Sequence, residues 1–125
     1  MQQTKIYFLT SEVAPFSNTY DLSVFSQKVC KILHDYEDIE IRLAQPKYGY
    51  ISERKYILRE VIRLKDMMID FNQVEELVNM KSAFIPHSRV QIYFTESDSN
   101  FKPLSELIYK SKNGRVVSNI DLRFA

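Results

Sequence analysis

Three successive hydrophobic patterns occupy the first part of the chain. Residues 5–9 form an apolar run that predicts a buried strand. Across residues 21–36 the apolar positions recur at steps of three and four, which predicts an amphipathic helix with Asp21 as its N-cap. Residues 39–45 alternate between apolar and polar and end at Pro46, which predicts a second strand. This order predicts a βαβ unit with two parallel strands. The apolar stripe of the predicted helix comprises Leu22, Phe25, Val29, Ile32, Leu33 and Tyr36.

After Pro46 the pattern changes to short apolar patches, which are typical of strands joined as antiparallel ribbons. Residues 74–78 are compatible with either a strand or a helix. Residues 101–109 predict a short helix, and Asn113-Gly114 predicts a turn. The candidate strands are residues 61–64, 67–71, 78–84 and 90–94.

These patterns together predict an α/β fold, a Rossmann-like half with a βαβ start and an inserted antiparallel ribbon region. Residues 119–125 have the pattern of an amphipathic helix. An isolated helix needs about 12–15 residues to be even marginally stable in water. We therefore expect residues 1–125 to be one incomplete domain of a longer protein.

Composition excludes several classes of function. The 17 Lys and Arg residues against 16 Asp and Glu give a net charge of +1, so electrostatics favour neither nucleic acid nor an acidic membrane as a partner. Two glycines are too few for a Gly-rich phosphate loop, and the amino terminus lacks the apolar length of a signal peptide or membrane span. Cys30 is the single cysteine, which favours a buried structural thiol and a cytoplasmic setting. With His34 and His87 it forms no metal-binding pattern, and nothing indicates a cofactor.

Four short motifs resemble, in order, those of the glycogen and starch synthases. They are T-S-E-V-A-P-F at 10–16, P-K-Y-G-Y-I at 46–51, V-Q-I-Y-F-T at 90–95 and N-I-D-L-R-F-A at 119–125. The resemblance implies a GT-B architecture, in which two Rossmann-like domains enclose the active site. It also implies transfer of glucose from ADP-glucose to the non-reducing end of an α-1,4-glucan, with retention. This chain would correspond to the front of the acceptor-side domain.

The donor loop of that family, K-T-G-G-L, is altered here. Asn18 stands in place of the lysine, Thr19 and Leu22 match, and Tyr20 and Asp21 replace the two glycines. Asn18 supplies no charge to offset phosphate, and the two larger side chains crowd a place suited to bare backbone. We expect no transfer by this chain alone, and no catalytic residue is assigned, so whether it is part of an enzyme stays open.

The remaining candidates are substrate-binding residues. Glu12 follows the first strand, at the edge where open α/β sheets bind ligands, although a carboxylate there also commonly caps loop backbone. Tyr48 and Tyr50 are candidates for stacking on sugar rings, although loop tyrosines commonly pack on their own domain. The resemblance adds Asn18, Thr19 and Asn119 as contacts. The expected ligands are ADP-glucose and an α-glucan.

Two other functions stay open at this level. One is a non-catalytic module that binds a glucan or a protein on the same scaffold. The other is a regulatory domain of the flavodoxin type, which would need a phosphate loop or acidic pocket that Ser11, Glu12 and Pro15 do not supply. Self-association is expected in either case, because an incomplete sheet leaves an edge open to pairing.

Overall fold

The computed structural model describes residues 3–71, 73–104 and 123–124. It confirms the βαβ start, in which the first two strands pair in parallel from Thr4 opposite Ile39 to Leu9 opposite Ala44. The strands are β1 (Thr4–Leu9), β2 (Ile39–Pro46), β3 (Arg59–Glu60), β4 (Met67–Phe71), β5 (Val74–Phe84) and β6 (Gln91–Glu96), and the helices are α1 (Asp21–His34) and α2 (Glu53–Tyr56).

The strands form one mixed sheet in the order β1-β2-β6-β5-β3, with β4 paired to β5. β6 lies parallel to β2, while β5 lies antiparallel to β6. The long strand β5 pairs with three strands: residues 79–84 pair with β6, residues 81–82 also pair with β3, and residues 74–78 form a ribbon with β4. The predicted α/β fold with an inserted antiparallel ribbon is therefore confirmed.

One detail of the predicted ribbon differs, and one alternative left open is settled. The strand expected at 61–64 is a 3-10 turn, Ile62–Leu64, and the two-residue strand β3 comes just before it. The ambiguous segment 74–78 is a strand, because its backbone pairs with β4. Of the carboxyl-terminal predictions, residues 101–103 form a turn and residues 123–124 are helical, while the rest of both helices and the 113–114 turn lie outside the described residues.

The predicted buried face of α1 is correct only in part, since Leu33 of the predicted stripe packs against the core but other members do not. The helix buries Ser23, Ser26 and Cys30, which recur at steps of three and four. Phe25 and Ile32 of the predicted stripe are 58% and 59% exposed. Small side chains on the buried face suit close packing on the sheet, and the Ser26 hydroxyl lies 3.2 Å from the Thr10 hydroxyl at the end of β1.

The predicted N-cap of α1 is also wrong. Asp21 is the first helical residue, and the capping position belongs to Tyr20, whose side chain makes no capping hydrogen bond. The chain before the helix is instead held by a side chain from the preceding loop, Glu12, which accepts the Tyr20 N–H.

The hydrophobic core lies on the face of β2 and β6 that carries Leu43, Ile92 and Phe94, all fully buried. Tyr48 and Leu104 extend the core toward the carboxyl ends of these strands. Within the described ranges, neither helix combines the length and hydrophobicity that a membrane crossing requires.

Candidate functional site

A cleft of about 550 Å³ opens at the carboxyl ends of the parallel strands. Thr10 and Ser11 follow β1, Gln45 precedes the last residue of β2, Thr95 precedes the last residue of β6, and Ser97 follows β6. Ligands of open α/β sheets bind at this edge, outside the carboxyl ends of the strands. The other lining residues are Leu9, Ala44, Pro46, Ile69, Glu76, Val78, Asn100, Phe101, Arg123 and Phe124.

The ribbon of β4 and β5 supplies one wall of the cleft. Ile69 and Val78 are its apolar part, and Glu76 is its charged part. The Glu76 carboxylate accepts hydrogen bonds from the hydroxyls of Ser97, at 3.1 Å, and of Ser99. The inserted ribbon therefore positions polar groups from the end of β6 beside an apolar surface.

A positively charged side chain, that of Arg123, lines the same end of the cleft. The Arg123 guanidinium donates to the backbone carbonyls of Ser99 and Asn100, at 2.7 and 2.8 Å. Hydroxyl, amide and carboxylate groups beside apolar side chains suit a polyhydroxylated ligand, because sugar hydroxyls both donate and accept hydrogen bonds.

Sequence reasoning missed Gln45, which ties the first loop to the sheet. Its side chain is 2% exposed, its carbonyl oxygen accepts the Val13 N–H at 2.7 Å, and its amide donates to the Pro46 carbonyl at 3.2 Å. A polar residue between a buried strand and a proline was the available signal. Glu76 gave no comparable signal, because only the folded ribbon places it at the cleft, whereas Arg123 lies within the motif at 119–125.

Glu12 organises the loop between β1 and α1. Its side chain is fully buried. One carboxylate oxygen accepts from the Ser17 hydroxyl at 2.8 Å and the Thr19 N–H at 2.7 Å, and the other accepts from the Tyr20 N–H at 2.9 Å. The structure thus brings together two predicted site residues, because the Thr19 backbone N–H donates to the Glu12 carboxylate.

Asn18 lies on the outer side of this loop. Its side chain is exposed, and its carbonyl oxygen accepts the Ser23 hydroxyl at 2.5 Å. The residue that stands in place of the family's lysine therefore makes a local contact with the first turn of α1. Asn119, the remaining site prediction, lies outside the described residues.

Tyr48 and Tyr50 stack on each other, with ring centroids 5.4 Å apart and planes 13° from parallel. Tyr48 is fully buried, and its hydroxyl donates to the Ser11 carbonyl at 2.6 Å. Tyr50 is partly exposed, and its hydroxyl pairs with that of Ser17. Burial is the main cause that raises the pKa of Tyr50 to about 12, and it raises the pKa of Tyr48 as well. Both phenols are neutral near pH 7, and Tyr50 is the more exposed of the two rings.

A cluster of four charged side chains lies at the 46–51 loop. Lys81 contacts Glu53 and lies 3.1 Å from Glu96, and Lys47 lies 3.9 and 3.8 Å from the same two carboxylates. Burial is the main cause that lowers the pKa of Lys47. Two cations face two anions, so the cluster stabilises the loop rather than attracting phosphate. Among the described residues, His, Cys, Asp and Glu form no group of three or more that could hold a metal ion.

Comparison with known proteins identifies the family. A family model described as the starch synthase catalytic domain matches residues 5–125. The chain belongs to this family. The resemblance of its four motifs to the glycogen and starch synthases is thereby confirmed.

Individual relatives agree with the family assignment. The glycogen synthase of Chlorobium phaeovibrioides is 35% identical over 98 residues, which are 78% of this chain and 20% of that protein. The glycogen synthase of Chlorobium chlorochromatii is 32% identical over 101 residues, which are 81% of this chain and 20% of that protein. The chain thus spans about a fifth of the length of the curated relatives it matches.

A solved structure supports the fold alone. The catalytic domain of starch synthase IV from Arabidopsis thaliana, bound to ADP and acarbose, superposes with a TM-score of 0.64 at 15% identity. The match covers 85% of this chain and 20% of that one.

Proposed function

We propose that this chain is the front, acceptor-side part of an ADP-glucose-dependent glucosyltransferase of GT-B architecture that extends an α-1,4-glucan. Family membership supports the reaction class. The observation that carries the proposal for this chain is the cleft at the carboxyl ends of β1, β2 and β6, which combines hydroxyl groups with the apolar wall of the ribbon. The starch synthase IV structure, whose title names ADP and acarbose, supports a nucleotide and a glucan-like ligand as the pair to test.

The proposal assigns binding, not transfer, to this chain. Ser11 and Thr95 offer hydroxyl groups to a glucan at the cleft, and Tyr50 offers a partly exposed ring. Asn18, Thr19, Glu12, Tyr48 and Asn119 remain proposed contacts by resemblance, although Tyr48 would have to become accessible first. No catalytic residue is proposed among residues 1–125.

Calorimetric titration with maltoheptaose, and separately with ADP-glucose, tests this proposal. We expect the folded chain to bind maltoheptaose. Leu9→Trp should weaken that binding at least tenfold, because Leu9 is 71% exposed and a larger ring at its position would fill the cleft.

Ile62→Trp is the matched control, since Ile62 is 86% exposed and is not among the cleft-lining residues. Equal affinities of Leu9→Trp and Ile62→Trp for maltoheptaose would show that the glucan does not bind in the cleft. Absence of maltoheptaose binding by a folded sample would contradict the acceptor-side role.

A second candidate function is a non-catalytic glucan- or protein-binding module on the same scaffold. It is favoured by the donor loop, where Asn18 carries no charge and Glu12 already accepts the Thr19 and Tyr20 N–H groups. This function requires glucan binding without ADP-glucose binding, whereas a functional donor loop requires both.

We also propose self-association through the free edge of β1. Within the described part of the sheet, β1 is the terminal strand, and its Tyr7 and Leu9 side chains are 56% and 71% exposed. Unpaired edges with apolar side chains favour pairing between copies. Light scattering over a range of concentrations tests this, and a constant monomeric mass would refute it. A cytoplasmic location, expected from the single cysteine, is a separate proposal.

A further inference from the structure

The apolar stripe of α1 is divided between the core and solvent. Leu33 packs against the core, whereas Leu22, Phe25 and Ile32 are 44%, 58% and 59% exposed. Tyr36 follows the helix by two residues and is 56% exposed. None of these side chains lines the cleft, so the proposed glucan binding leaves them without a role.

The exposed part of the stripe has the spacing of a helix-packing seam. Residues 22, 25, 29, 32 and 36, which we call the α1 seam, follow one another at alternating steps of three and four. This is the 3.5-residue repeat of helices that pack along one another. The buried stripe of Ser23, Ser26 and Cys30 is rotated from the seam by about 100° at 3.6 residues per turn. The helix is therefore apolar on two sides, and the sheet covers one of them.

The handedness of the βαβ unit decides which way the seam points. A crossover between parallel strands is right-handed. A helix in such a crossover that buries residues 23, 26 and 30 on the sheet directs residues 22, 25, 29 and 32 sideways, past β1 and away from β2. Within the described part of the sheet, β1 is the outer strand on that side. The α1 seam and the free edge of β1 therefore form one continuous surface.

The free edge of β1 offers backbone groups to a partner. The Thr4 and Thr10 N–H groups donate to carbonyls of Asp38 and Ala44, on the β2 side. Because backbone groups alternate in direction along a strand, the N–H groups of the odd-numbered residues, among them Tyr7, point to the free edge. A partner that fits the surface must supply a strand and a helix at once.

A second copy of this chain supplies both. A two-fold axis normal to the sheet pairs β1 with β1 of the other copy in antiparallel orientation, at a strand spacing of about 4.8 Å. α1 contacts Thr10, after β1, and also β2. A helix that lies over the space between these strands is then about 10 Å from its copy, which is the separation of packed helices. The two α1 seams face each other and run antiparallel.

Charges beside the seam agree with the antiparallel arrangement. Lys28 and Asp35 are exposed and lie seven positions apart on the solvent side of the seam. When two antiparallel helices cross near Val29 and Ile32, Lys28 of each copy comes opposite Asp35 of the other. A parallel pair would instead bring equal charges to the same height. Such exposed pairs contribute little to affinity but favour one orientation over the other.

We propose that two copies of this chain associate through the α1 seam and the β1 edge, with α1 antiparallel to α1 of the other copy. The β1 contact rests on the self-association proposed above, and the seam is an additional contact. Four half-exposed apolar side chains per copy bury about 800 Å² in total, which is typical of weak association. The dimer should therefore form at high micromolar concentration.

Sedimentation equilibrium from about 10 to 500 µM covers the range expected for an interface of this size. Phe25→Glu places a charge in the seam of each copy and should weaken dimerisation at least tenfold. Val24→Glu is the matched control, because Val24 is 36% exposed on the same helix and lies outside the seam. Its dissociation constant should stay within twofold of that of the unchanged protein. Equal dissociation constants of the two variants would overturn the proposal.

Charge exchange tests the orientation and does not touch the apolar residues. Lys28→Asp should weaken dimerisation about threefold or more, because it places two anions opposite each other in each half of the interface. The double variant Lys28→Asp, Asp35→Lys restores opposite charges and should restore the affinity. Both residues are exposed, so this arm decides the matter even if Phe25→Glu does not fold. Failure of the double variant to recover would contradict the antiparallel pairing.

Tyr7→Pro separates the seam from the β1 edge, since it removes an edge N–H and leaves the pairing with β2 in place. Loss of the dimer in Tyr7→Pro, without loss in Phe25→Glu, would retain edge association and overturn the α1 contact. A constant monomeric mass of the unchanged protein up to about 500 µM would overturn both. Maltoheptaose titration is independent of these results, so failure of the dimer is distinguishable from failure of glucan binding.

Discussion

Removal of the Tyr48 ring should destabilise the folded chain even when no ligand is present. Tyr48 is fully buried, stacks on Tyr50 and lies edge-on to Phe101 with centroids 6.4 Å apart. A buried aromatic side chain removes about 150–250 Å² from water, which at about 25 cal/mol per Å² corresponds to about 4–6 kcal/mol. Measured losses for aromatic-to-alanine changes in cores are about 3–5 kcal/mol. We therefore expect Tyr48→Ala to lower the free energy of unfolding by about 4 kcal/mol.

Tyr48→Phe isolates the hydroxyl from the ring. The hydroxyl donates to the Ser11 carbonyl at 2.6 Å, and a buried acceptor left without its donor costs about 1–3 kcal/mol. The Phe variant should therefore lose about 1–2 kcal/mol, less than half the loss of the Ala variant. Ile62→Ala serves as the control, since Ile62 is 86% exposed and a surface change of this kind stays within about 0.5 kcal/mol.

The assay is equilibrium urea unfolding followed by far-ultraviolet circular dichroism, with free energies from linear extrapolation. Maltoheptaose titration of Tyr48→Phe accompanies it. A loss below about 1.5 kcal/mol for Tyr48→Ala would refute the structural role, since this is far below any core aromatic truncation. Weakened glucan binding by a Phe variant of unchanged stability would restore Tyr48 as a direct ligand contact.

Three further predictions concern other parts of the fold. The pKa of Tyr50 is raised from 10.0 to about 12 and the pKa of Cys30 from 9.0 to about 11, both mainly by burial, so the folded state holds these protons more tightly than the unfolded state. Their stabilising contribution is complete below about pH 9 and is lost as the pH rises toward 12; the urea midpoint should fall over this window, and a constant or rising midpoint would contradict the reasoning. The buried Cys30 thiol should react with a thiol reagent only after urea unfolding, and rapid stoichiometric reaction of the folded protein would show that α1 does not cover it. Ile57 adopts φ 55° at the end of α2, a conformation that costs a residue with a Cβ about 1–2 kcal/mol, so Ile57→Gly should be more stable than Ile57→Ala by about 1 kcal/mol in urea unfolding; equal stabilities would count against this backbone strain.

Local sequence patterns were sufficient to predict the order of the first strands and helix and to recognise the family. The apolar run of β1, the alternation of β2 and most apolar patches of the ribbon each describe a strand's own residues, so they predicted strands correctly, whereas the patch at 61–64 is a 3-10 turn. The four motifs are likewise contiguous, which is why the resemblance could be recognised before the fold was known.

Only the tertiary structure completed the buried face of α1 and the hydrogen-bond partners of the loops. The sequence predicted Leu33 and Cys30 on the buried side of the helix. Contact with β2 also buried Ser23 and Ser26, because small side chains allow close packing. Tyr48 was found in the sequence as a ligand candidate, yet its hydroxyl donates to the Ser11 carbonyl, 37 positions away. Such pairings depend on how the strands bring distant loops together at one edge of the sheet, and no short stretch of sequence contains that information.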